Sequence, residues 1–190
     1  IKDFDLEGKK IIIRCDLNVP IENGVITDDT RIIASLRTIK YALRFNTKII
    51  LLSHLGKIKT EDDKKKNSLY PVAERLREYL NTEDLFSPDT CSDRLTDMVN
   101  NMKEKSVLLI ENTRFEDVPD KRESECNDDL AKYWASLGDI FINDAYGTCH
   151  RNHTSITGIP KYLPSGVGFL VEKELQKIDS VLDAKTHPFI

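Results

Sequence analysis

The 190-residue chain contains no run of 18 apolar residues, and its apolar stretches, such as residues 49–52, have the length of a strand. A membrane span is therefore not expected. The N-terminus also lacks the apolar segment of a secretory signal peptide. The cysteines match no zinc or CxxC spacing, which favours a reducing compartment and predicts a cytoplasmic protein. They are Cys15, Cys91, Cys126 and Cys149.

Several enzyme motifs are missing as well. There is no GxxxxGK[ST] loop for nucleotide phosphates, no GxSxG nucleophile turn and no HExxH helix for zinc. Gly166-Val167-Gly168 lacks the third glycine of a dinucleotide-binding fingerprint. His150 and His153 have no third ligand residue nearby, so no metal site is expected.

The composition that remains is that of an ordinary globular domain. Hydrophobic residues make up 39% of the chain and charged residues 32%, which argues against disorder. The length fits one domain of usual size. The net charge of −4 argues against nucleic acid as a partner.

Short apolar runs alternate with longer amphipathic stretches along the chain. Strands are expected at residues 10–15, 47–53, 106–110 and 139–143, with a weaker one at 84–87. Helices are expected at residues 30–43, 71–80, 93–103, 128–137 and 172–184. This alternation predicts an α/β fold, a three-layer and Rossmann-like parallel sheet with helices on both faces.

Local signals refine the element boundaries. Asp28-Asp29-Thr30 offers N-cap residues for the first helix, Pro71 suits the first turn of the second, and Gly138 suits a C-cap of the fourth. Two polar segments, residues 57–67 and 116–127, are expected to be surface loops.

Polar and cationic residues follow four of the expected strands. Because ligands of an open parallel sheet bind beyond the carboxyl ends of its strands, these residues are expected to share one site. The segments are Asp16-Leu17-Asn18-Val19-Pro20, Ser53-His54-Leu55-Gly56-Lys57, Glu111-Asn112-Thr113-Arg114 and residues 143–151. The expected cations are Lys57, Arg114 and Arg151, with His54 and His150 able to join them and Arg31 opening the first helix.

This cluster suits a small anion that also carries a hydroxyl group. Arginine holds phosphate or carboxylate through paired hydrogen bonds and stays charged at working pH. Asp16 and Asn18 are placed to take the hydroxyl. A single arginine more often forms a surface ion pair. Arg114 and Arg151 both follow strands, so together they favour a binding site.

Six ordered segments carry a specific resemblance. Residues 14–20 are similar to RVDFNVP, 27–32 to TDDTRI, 52–57 to LSHLGR, 111–115 to ENLRF, 143–153 to NDAFGTAHRAH and 168–175 to GFLMEKEL. Those motifs occur in this order in phosphoglycerate kinases, so the chain resembles that family over nearly its whole length.

The resemblance implies a glycolytic enzyme that transfers a phosphoryl group reversibly between 1,3-bisphosphoglycerate and ADP, giving 3-phosphoglycerate and ATP. Family members are usually monomers of two α/β lobes, with the glycerate on the N-terminal lobe and Mg-ATP or Mg-ADP on the C-terminal lobe. Arg31 is then expected to stabilise the transferring group. The implied substrate-binding residues are Asp16, Leu17, Asn18, Arg31, His54, Leu55, Gly56, Lys57, Arg114 and Arg151.

The resemblance also divides the chain. Residues 1–171 are expected to form the phosphoglycerate-binding domain, and residues 172–190 the interdomain helix and the start of the path to the nucleotide-binding domain. His187-Pro188-Phe189-Ile190 resembles a family strand that leads into the glycine-rich nucleotide site, which would follow residue 190. This chain alone is expected to bind phosphoglycerate weakly and to transfer no phosphoryl group, because closure that excludes water needs both lobes.

Some residues depart from the family pattern. Lys57 stands where the family has arginine, so it keeps the charge but loses the two-pronged grip. Residues 58–60 replace the usual proline-glycine loop. Thr113 and Tyr146 are further replacements, as are Cys15 and Cys149. The two cysteines lie near the expected site, where modification would disturb binding unless burial makes them inert.

Three alternatives stay open at this point. The chain could be a stand-alone module that binds a phosphorylated acid without catalysis. It could be a different α/β enzyme that uses an arginine cluster for a sugar phosphate. A nicotinamide-cofactor domain is the third, although it requires a glycine fingerprint where residues 16–20 stand.

Overall fold

Eight short strands organise the computed structural model, which describes residues 1–81 and 86–182. They are β1 (Lys10–Cys15), β2 (Ile21–Glu22), β3 (Val25–Ile26), β4 (Lys48–Leu52), β5 (Phe86–Ser87), β6 (Ser106–Ile110), β7 (Ile140–Asp144) and β8 (Ser165–Val167). Six of them form one sheet in the order β5-β6-β4-β1-β7-β8, and every neighbouring pair is parallel. The remaining two, β2 and β3, pair as a small antiparallel ribbon.

Helices cover both faces of the sheet. They are α1 (Thr30–Ala42), α2 (Glu61–Lys66), α3 (Tyr70–Leu80), α4 (Asp93–Asn100), α5 (Asp128–Ser136) and α6 (Phe169–Leu182). One core cluster joins β1 and β4 to α1, α3 and the first residue of α6. A second cluster joins the opposite face to α4 and α5. The predicted three-layer α/β fold with a parallel sheet is therefore confirmed.

The alternation of β1 explains the two clusters. Ile11 and Ile13 lie in the α1 and α3 cluster, whereas Ile12 lies in the α4 and α5 cluster. All three side chains are at most 1% exposed, and such burial stabilises the fold by roughly 1.5–3 kcal/mol per large aliphatic side chain. Trp134 is the largest residue of the second cluster, and its Nε1 donates to the carbonyl of Thr90 at 2.8 Å.

The strand order places the candidate site. The chain passes from β1 to β4 on one side of β1, and later returns to β7 on its other side. Reversals of this kind leave a crevice at the carboxyl ends of the strands. The four loops that the sequence predicts to share a site follow β6, β4, β1 and β7, which are consecutive in the sheet.

The charged segment 57–67 is not wholly a loop, which corrects the prediction for its second half. Thr60 and Asp63 form a capping box that opens α2, with Thr60 Oγ1 accepting from the Asp63 amide. Ion pairs then join Lys64 to Glu61 and Lys65 to Asp62 at a spacing of three residues. A short helix stabilised by its cap and ion pairs needs no apolar stripe, so periodicity could not reveal it.

The segment 116–127 is also more than a surface loop. It begins within a 3-10 turn at Thr113–Asp117, and Glu123 within it is fully buried. Polar sequence alone gave no sign of this burial, because the carboxylate finds its partners on a distant segment. Its contacts are described with the site below.

Helix boundaries differ from prediction by a few residues. The structure ends α4 at Asn100, ends α5 at Ser136 and begins α6 at Phe169. Gly138 is not in the left-handed conformation of a C-cap glycine; a Cβ there would lie 2.7 Å from Ile12 Cγ1, so it allows close packing on β1. Part of the predicted strand 84–87, the end of the predicted helix 172–184 and residues 187–190 lie outside the described residues.

The edge strand β8 and the β2–β3 ribbon were also not predicted, since each is too short for a periodic pattern. None of the helices within the described ranges is long and apolar enough to cross a membrane.

Candidate anion-binding site

The loop after β1 brings a carboxylate and an amide to the edge of the sheet. Asp16 Oδ2 accepts a hydrogen bond from Arg31 Nη1 at 2.5 Å, while Asp16 Oδ1 is buried and has no hydrogen-bond partner in the part of the chain described. Asn18 Oδ1 accepts from the amide of Gly56 at 2.9 Å. The amide of Leu17 donates to Ser53 Oγ at 2.9 Å. These bonds tie the first loop to the loop after β4.

The loop after β4 is fixed by its glycine and its buried leucine. Gly56 has a φ of +60°, and a Cβ there would meet Asn67 Oδ1 at 2.3 Å, so only glycine fits. Leu55 is buried, and its carbonyl accepts from Asn112 Nδ2 at 2.7 Å. Lys57 is exposed at the rim, and within the described ranges it makes no ion pair.

The loop after β6 separates a structural carboxylate from a site arginine. Glu111 accepts from the amides of Leu69 and Asn112, both at 2.7 Å, and from Ser68 Oγ at 2.6 Å. Burial raises the pKa of Glu111, although these hydrogen bonds act to lower it. Glu111 therefore holds the start of α3 to the site loop, and both of its oxygens already accept hydrogen bonds.

Arg114 and Arg151 are the arginines that the sequence predicts at strand ends. The Arg114 side chain is 12% exposed, and its Nη1 lies 3.7 Å from Asp117 Oδ2. The Nε atoms of Arg114 and Arg151 are both buried and meet no hydrogen-bond partner among the described residues. A guanidinium group has no acceptor atom and its N–H groups need partners when buried. Both arginines are thus suited to an anion.

His54 lies among these cations and is neutral, which corrects the prediction that it adds positive charge. Burial, followed by the nearby charges of Arg14, Arg114 and Arg151, lowers the pKa of His54 to about 2. Burial also lowers the pKa of His153 to about 4, with further contributions from the charges of Arg114 and Arg151 and a smaller one from Arg14. His54 therefore offers the site a hydrogen bond and no charge.

Three polar residues beneath His54 were missed by the sequence analysis. Arg14 is 1% exposed and donates to Ser155 Oγ at 2.8 Å, and Ser155 in turn contacts the fully buried Glu123. A signal did exist for the first of them, because an arginine inside the apolar strand β1 needs a buried partner. No such signal exists for Ser155 and Glu123, because both lie in segments with the composition of ordinary polar loops.

The remaining predicted residues take different positions. His150 is exposed and makes no contact within the described ranges. Cys15 is fully buried, and burial raises the pKa of its thiol, so it is inert. Cys149 is exposed, and Asn143 Nδ2 lies 3.5 Å from its Sγ. Each of the four cysteines is a free thiol.

The described residues contain no group of three or more His, Cys, Asp or Glu side chains placed to hold a metal ion. The site combines guanidinium donors with the carboxylate of Asp16 and the amide of Asn18. Asp16, Asn18, Arg31, His54 and the two strand-end arginines come to the same carboxyl edge, as the sequence predicted for the loops that carry them.

Comparison with known proteins identifies the family of this chain. The family model described as phosphoglycerate kinase matches residues 1–190. The chain belongs to the phosphoglycerate kinase family. A phosphoglycerate kinase of Enterococcus faecalis is 53% identical over 191 residues, and one of Listeria innocua is 52% identical over 190. Each match covers 100% of this chain and 48% of the relative.

Solved structures agree with the family assignment. The phosphoglycerate kinase structure from Coxiella burnetii matches with a TM-score of 0.86 at 34% identity, over 99% of this chain and 46% of that one. The structure from Pyrococcus horikoshii matches with a TM-score of 0.86 at 30% identity and the same coverage. The chain thus spans about half the length of the phosphoglycerate kinases it matches. Membership of this family sets aside the nicotinamide-cofactor domain and the unrelated sugar-phosphate enzyme as alternatives.

Proposed function

We propose that this chain is the phosphoglycerate-binding part of a phosphoglycerate kinase. The observation that carries the proposal is the pair of buried Nε atoms on Arg114 and Arg151, which lack hydrogen-bond partners among the described residues and lie close enough to His54 to lower its pKa. An anion with several oxygens would satisfy both guanidinium groups at once. The substrate 3-phosphoglycerate carries two such groups and a hydroxyl between them.

The first loop supplies the groups for the hydroxyl. Asp16 Oδ1 is buried without a partner in the described part of the chain, so it can accept a hydroxyl proton. Asn18 is already bound to Gly56, which fixes its side chain beside the same loop. His54 donates a neutral hydrogen bond, and Lys57 adds a charge at the rim. Leu17, Leu55 and Gly56 shape the loops through their backbone contacts.

Arg31 is the residue proposed to stabilise the transferring phosphoryl group. Its side chain is 52% exposed, and within the described ranges Asp16 is its one ion-pair partner. It can therefore turn from Asp16 toward a phosphoryl group without breaking buried contacts. Charge stabilisation of this kind is the main contribution that a protein makes to phosphoryl transfer.

The nucleotide is assigned to the half of the relatives that this chain does not span. Mg-ATP or Mg-ADP would bind there, and closure of the two parts would exclude water from the transfer. By this proposal residues 1–171 form the acid-binding domain, and the part of α6 after residue 171 begins the connection to the other one. The chain alone then binds 3-phosphoglycerate weakly as a cytoplasmic monomer and transfers no phosphoryl group.

Calorimetric titration of the chain with 3-phosphoglycerate and, separately, with Mg-ATP tests the proposal. We expect saturable heat from 3-phosphoglycerate and none from Mg-ATP. Arg114→Ala is expected to weaken binding about tenfold or more, because it removes a charge-assisted hydrogen bond. The matched control is Arg77→Ala, an exposed arginine paired with Glu74 within α3. Saturable Mg-ATP binding without a response to 3-phosphoglycerate would contradict the proposal.

A further inference from the structure

The guanidinium group of Arg14 makes its hydrogen bonds with buried partners beneath the site. Its Nε donates to Ser155 Oγ at 2.8 Å, its Nη1 donates to the carbonyl of Cys15, and its Nη2 lies 3.2 Å from His54 Nδ1. The side chain is 1% exposed and lies in a central strand, so it cannot reach a ligand itself. Among its hydrogen-bond partners, His54 is the one that connects it to the site.

The contact between Arg14 and His54 has only one consistent polarity. Guanidinium nitrogens donate and never accept, so His54 Nδ1 must be the acceptor. A neutral imidazole carries one proton, which must then sit on Nε2. The His54 ring makes no other hydrogen bond with the described residues, so its Nε2–H remains available to a ligand.

A buried chain of hydrogen bonds holds Arg14 in this position. The Ser155 hydroxyl accepts from Arg14 and donates its own proton to Glu123 Oε1, and the amide of Ser155 donates to Glu123 Oε2 at 2.9 Å. Both carboxylate oxygens of Glu123 are therefore acceptors. The carboxylate is 0% exposed, and burial raises its pKa, while the charge of Arg14 and the hydrogen bonds from Ser155 act to lower it.

We propose that Glu123, Ser155 and Arg14 are positioning residues that fix His54 as the Nε2-protonated tautomer, so that it presents a neutral hydrogen-bond donor to the bound acid. In this series of hydrogen bonds the negative group is Glu123, on the segment 116–127, and the positive group is Arg14, which lies under the site. A histidine free to exchange tautomers would present a bare nitrogen lone pair to an anion part of the time. The chain of contacts removes that state.

The tautomer can be read in the free protein. Side-chain proton–nitrogen correlation spectra of the 15N-histidine-labelled chain distinguish the protonated from the unprotonated ring nitrogen, and the signals missing in His54→Asn assign His54. We expect a protonated Nε2 and an unprotonated Nδ1 at neutral pH. A protonated Nδ1, or a doubly protonated ring, would overturn the inference. This spectrum needs no ligand and no variant of the positioning residues.

Ser155→Ala tests the positioning role, with Ser35→Ala as the matched control. Ser35 is also buried, and its hydroxyl donates within α1 to the carbonyl of Ile32. We expect mixed tautomers in Ser155→Ala and about tenfold weaker 3-phosphoglycerate binding, the loss of one hydrogen bond to an anion. Ser155→Thr keeps the hydroxyl and is expected to restore the single tautomer. An unchanged tautomer in Ser155→Ala would overturn the positioning role, whatever the affinity does.

The affinity arm rests on the proposed function, whereas the spectra do not. If the unaltered chain binds no 3-phosphoglycerate, the proposed ligand is wrong, and the tautomer of His54 still decides the inference. If the chain binds the ligand but His54 carries its proton on Nδ1, the proposed function stands and the inference fails.

Discussion

Asp16 and Arg31 form an ion pair of 2.5 Å across the edge of the sheet, although fifteen positions separate them in the sequence. Asp16 follows β1, and Arg31 lies in the first turn of α1. The Arg31 side chain is half exposed, and such pairs contribute about 0–1 kcal/mol to stability. The Asp16–Arg31 pair is therefore expected to matter for ligand binding more than for stability.

Removing this pair should separate stability from binding. Arg31→Ala is expected to lower the free energy of unfolding by less than about 1 kcal/mol, because the arginine is half exposed. The same variant should weaken 3-phosphoglycerate binding, since a cation that faces the ligand is lost. Urea unfolding followed by the fluorescence of Trp134, together with calorimetric titration, measures both. Arg77→Ala, which breaks an exposed pair with Glu74, is the control. A large loss of stability in Arg31→Ala would contradict the account.

Glu111 should behave in the opposite way. Its carboxylate satisfies the amides of Leu69 and Asn112 and the hydroxyl of Ser68. Glu111→Ala leaves buried donors unpaired, so we expect a loss of about 2–4 kcal/mol in the free energy of unfolding. The urea midpoint should fall accordingly, while Glu104→Ala, at an exposed position, should change stability by less than about 0.5 kcal/mol. Equal effects of the two variants would show that Glu111 is not a structural anchor.

Gly138 should not tolerate a methyl group. An added Cβ would approach Ile12 Cγ1 to 2.7 Å and the carbonyl of Lys10 to 3.2 Å. Gly138→Ala is therefore expected to destabilise the protein by about 1–3 kcal/mol through overpacking. Gly8→Ala is the useful comparison, because its Cβ would meet nothing within 4 Å and only its φ of +66° is unfavourable. Thermal unfolding that ranks Gly8→Ala as the more damaging change would argue against the close packing of Gly138 on β1.

The buried histidines predict a loss of stability in mild acid. The pKa of His54 is lowered to about 2 and that of His153 to about 4, below the unfolded value near 6.5. The unfolded chain therefore binds more protons than the folded chain between about pH 6.5 and about pH 4, and the free energy of unfolding falls as pH falls through that range. Each such histidine contributes a slope of up to about 1.4 kcal/mol per pH unit.

Comparing variants isolates this effect. The raised pKa values of Glu111, Glu123 and Asp144 act in the opposite direction, because those carboxyl groups take up protons in the folded state first. The slope of stability against pH should therefore be compared between the unaltered chain and His54→Asn, which should lose about one proton of uptake on unfolding. His150→Asn, at an exposed histidine, is the matched control. An equal slope in the unaltered chain and in His54→Asn would contradict the burial of a neutral His54.

The sequence predicted the strands that are apolar and long enough to show a pattern. β1 and β6 occur at the predicted residues, and β4 and β7 within one residue of them, because three to five consecutive buried residues leave a clear signal. The capped helix α2 and the edge strand β8 were missed. One is polar throughout and the other has three residues, so neither has a hydrophobic period to detect.

The site was predictable for the residues that follow strands and not for those beneath them. Strand order follows from topology rules that act on many residues at once, so Arg114 and Arg151 could be placed at one edge. The neutrality of His54 depends on burial beside Arg14, and the role of Glu123 depends on Ser155, which is 32 residues away in the chain. Contacts of that kind leave no local pattern in a sequence.

The most direct test of the central claim is to locate the bound acid on the chain itself. Backbone amide shifts should be recorded while 3-phosphoglycerate is added to the labelled protein. The account predicts saturable changes in the loops that hold Asn18, Gly56, Arg114 and Arg151, at the carboxyl ends of β1, β4, β6 and β7. Changes confined to the 550 Å³ cleft lined by Tyr70, Phe86 and Met98, with none at those loops, would contradict it.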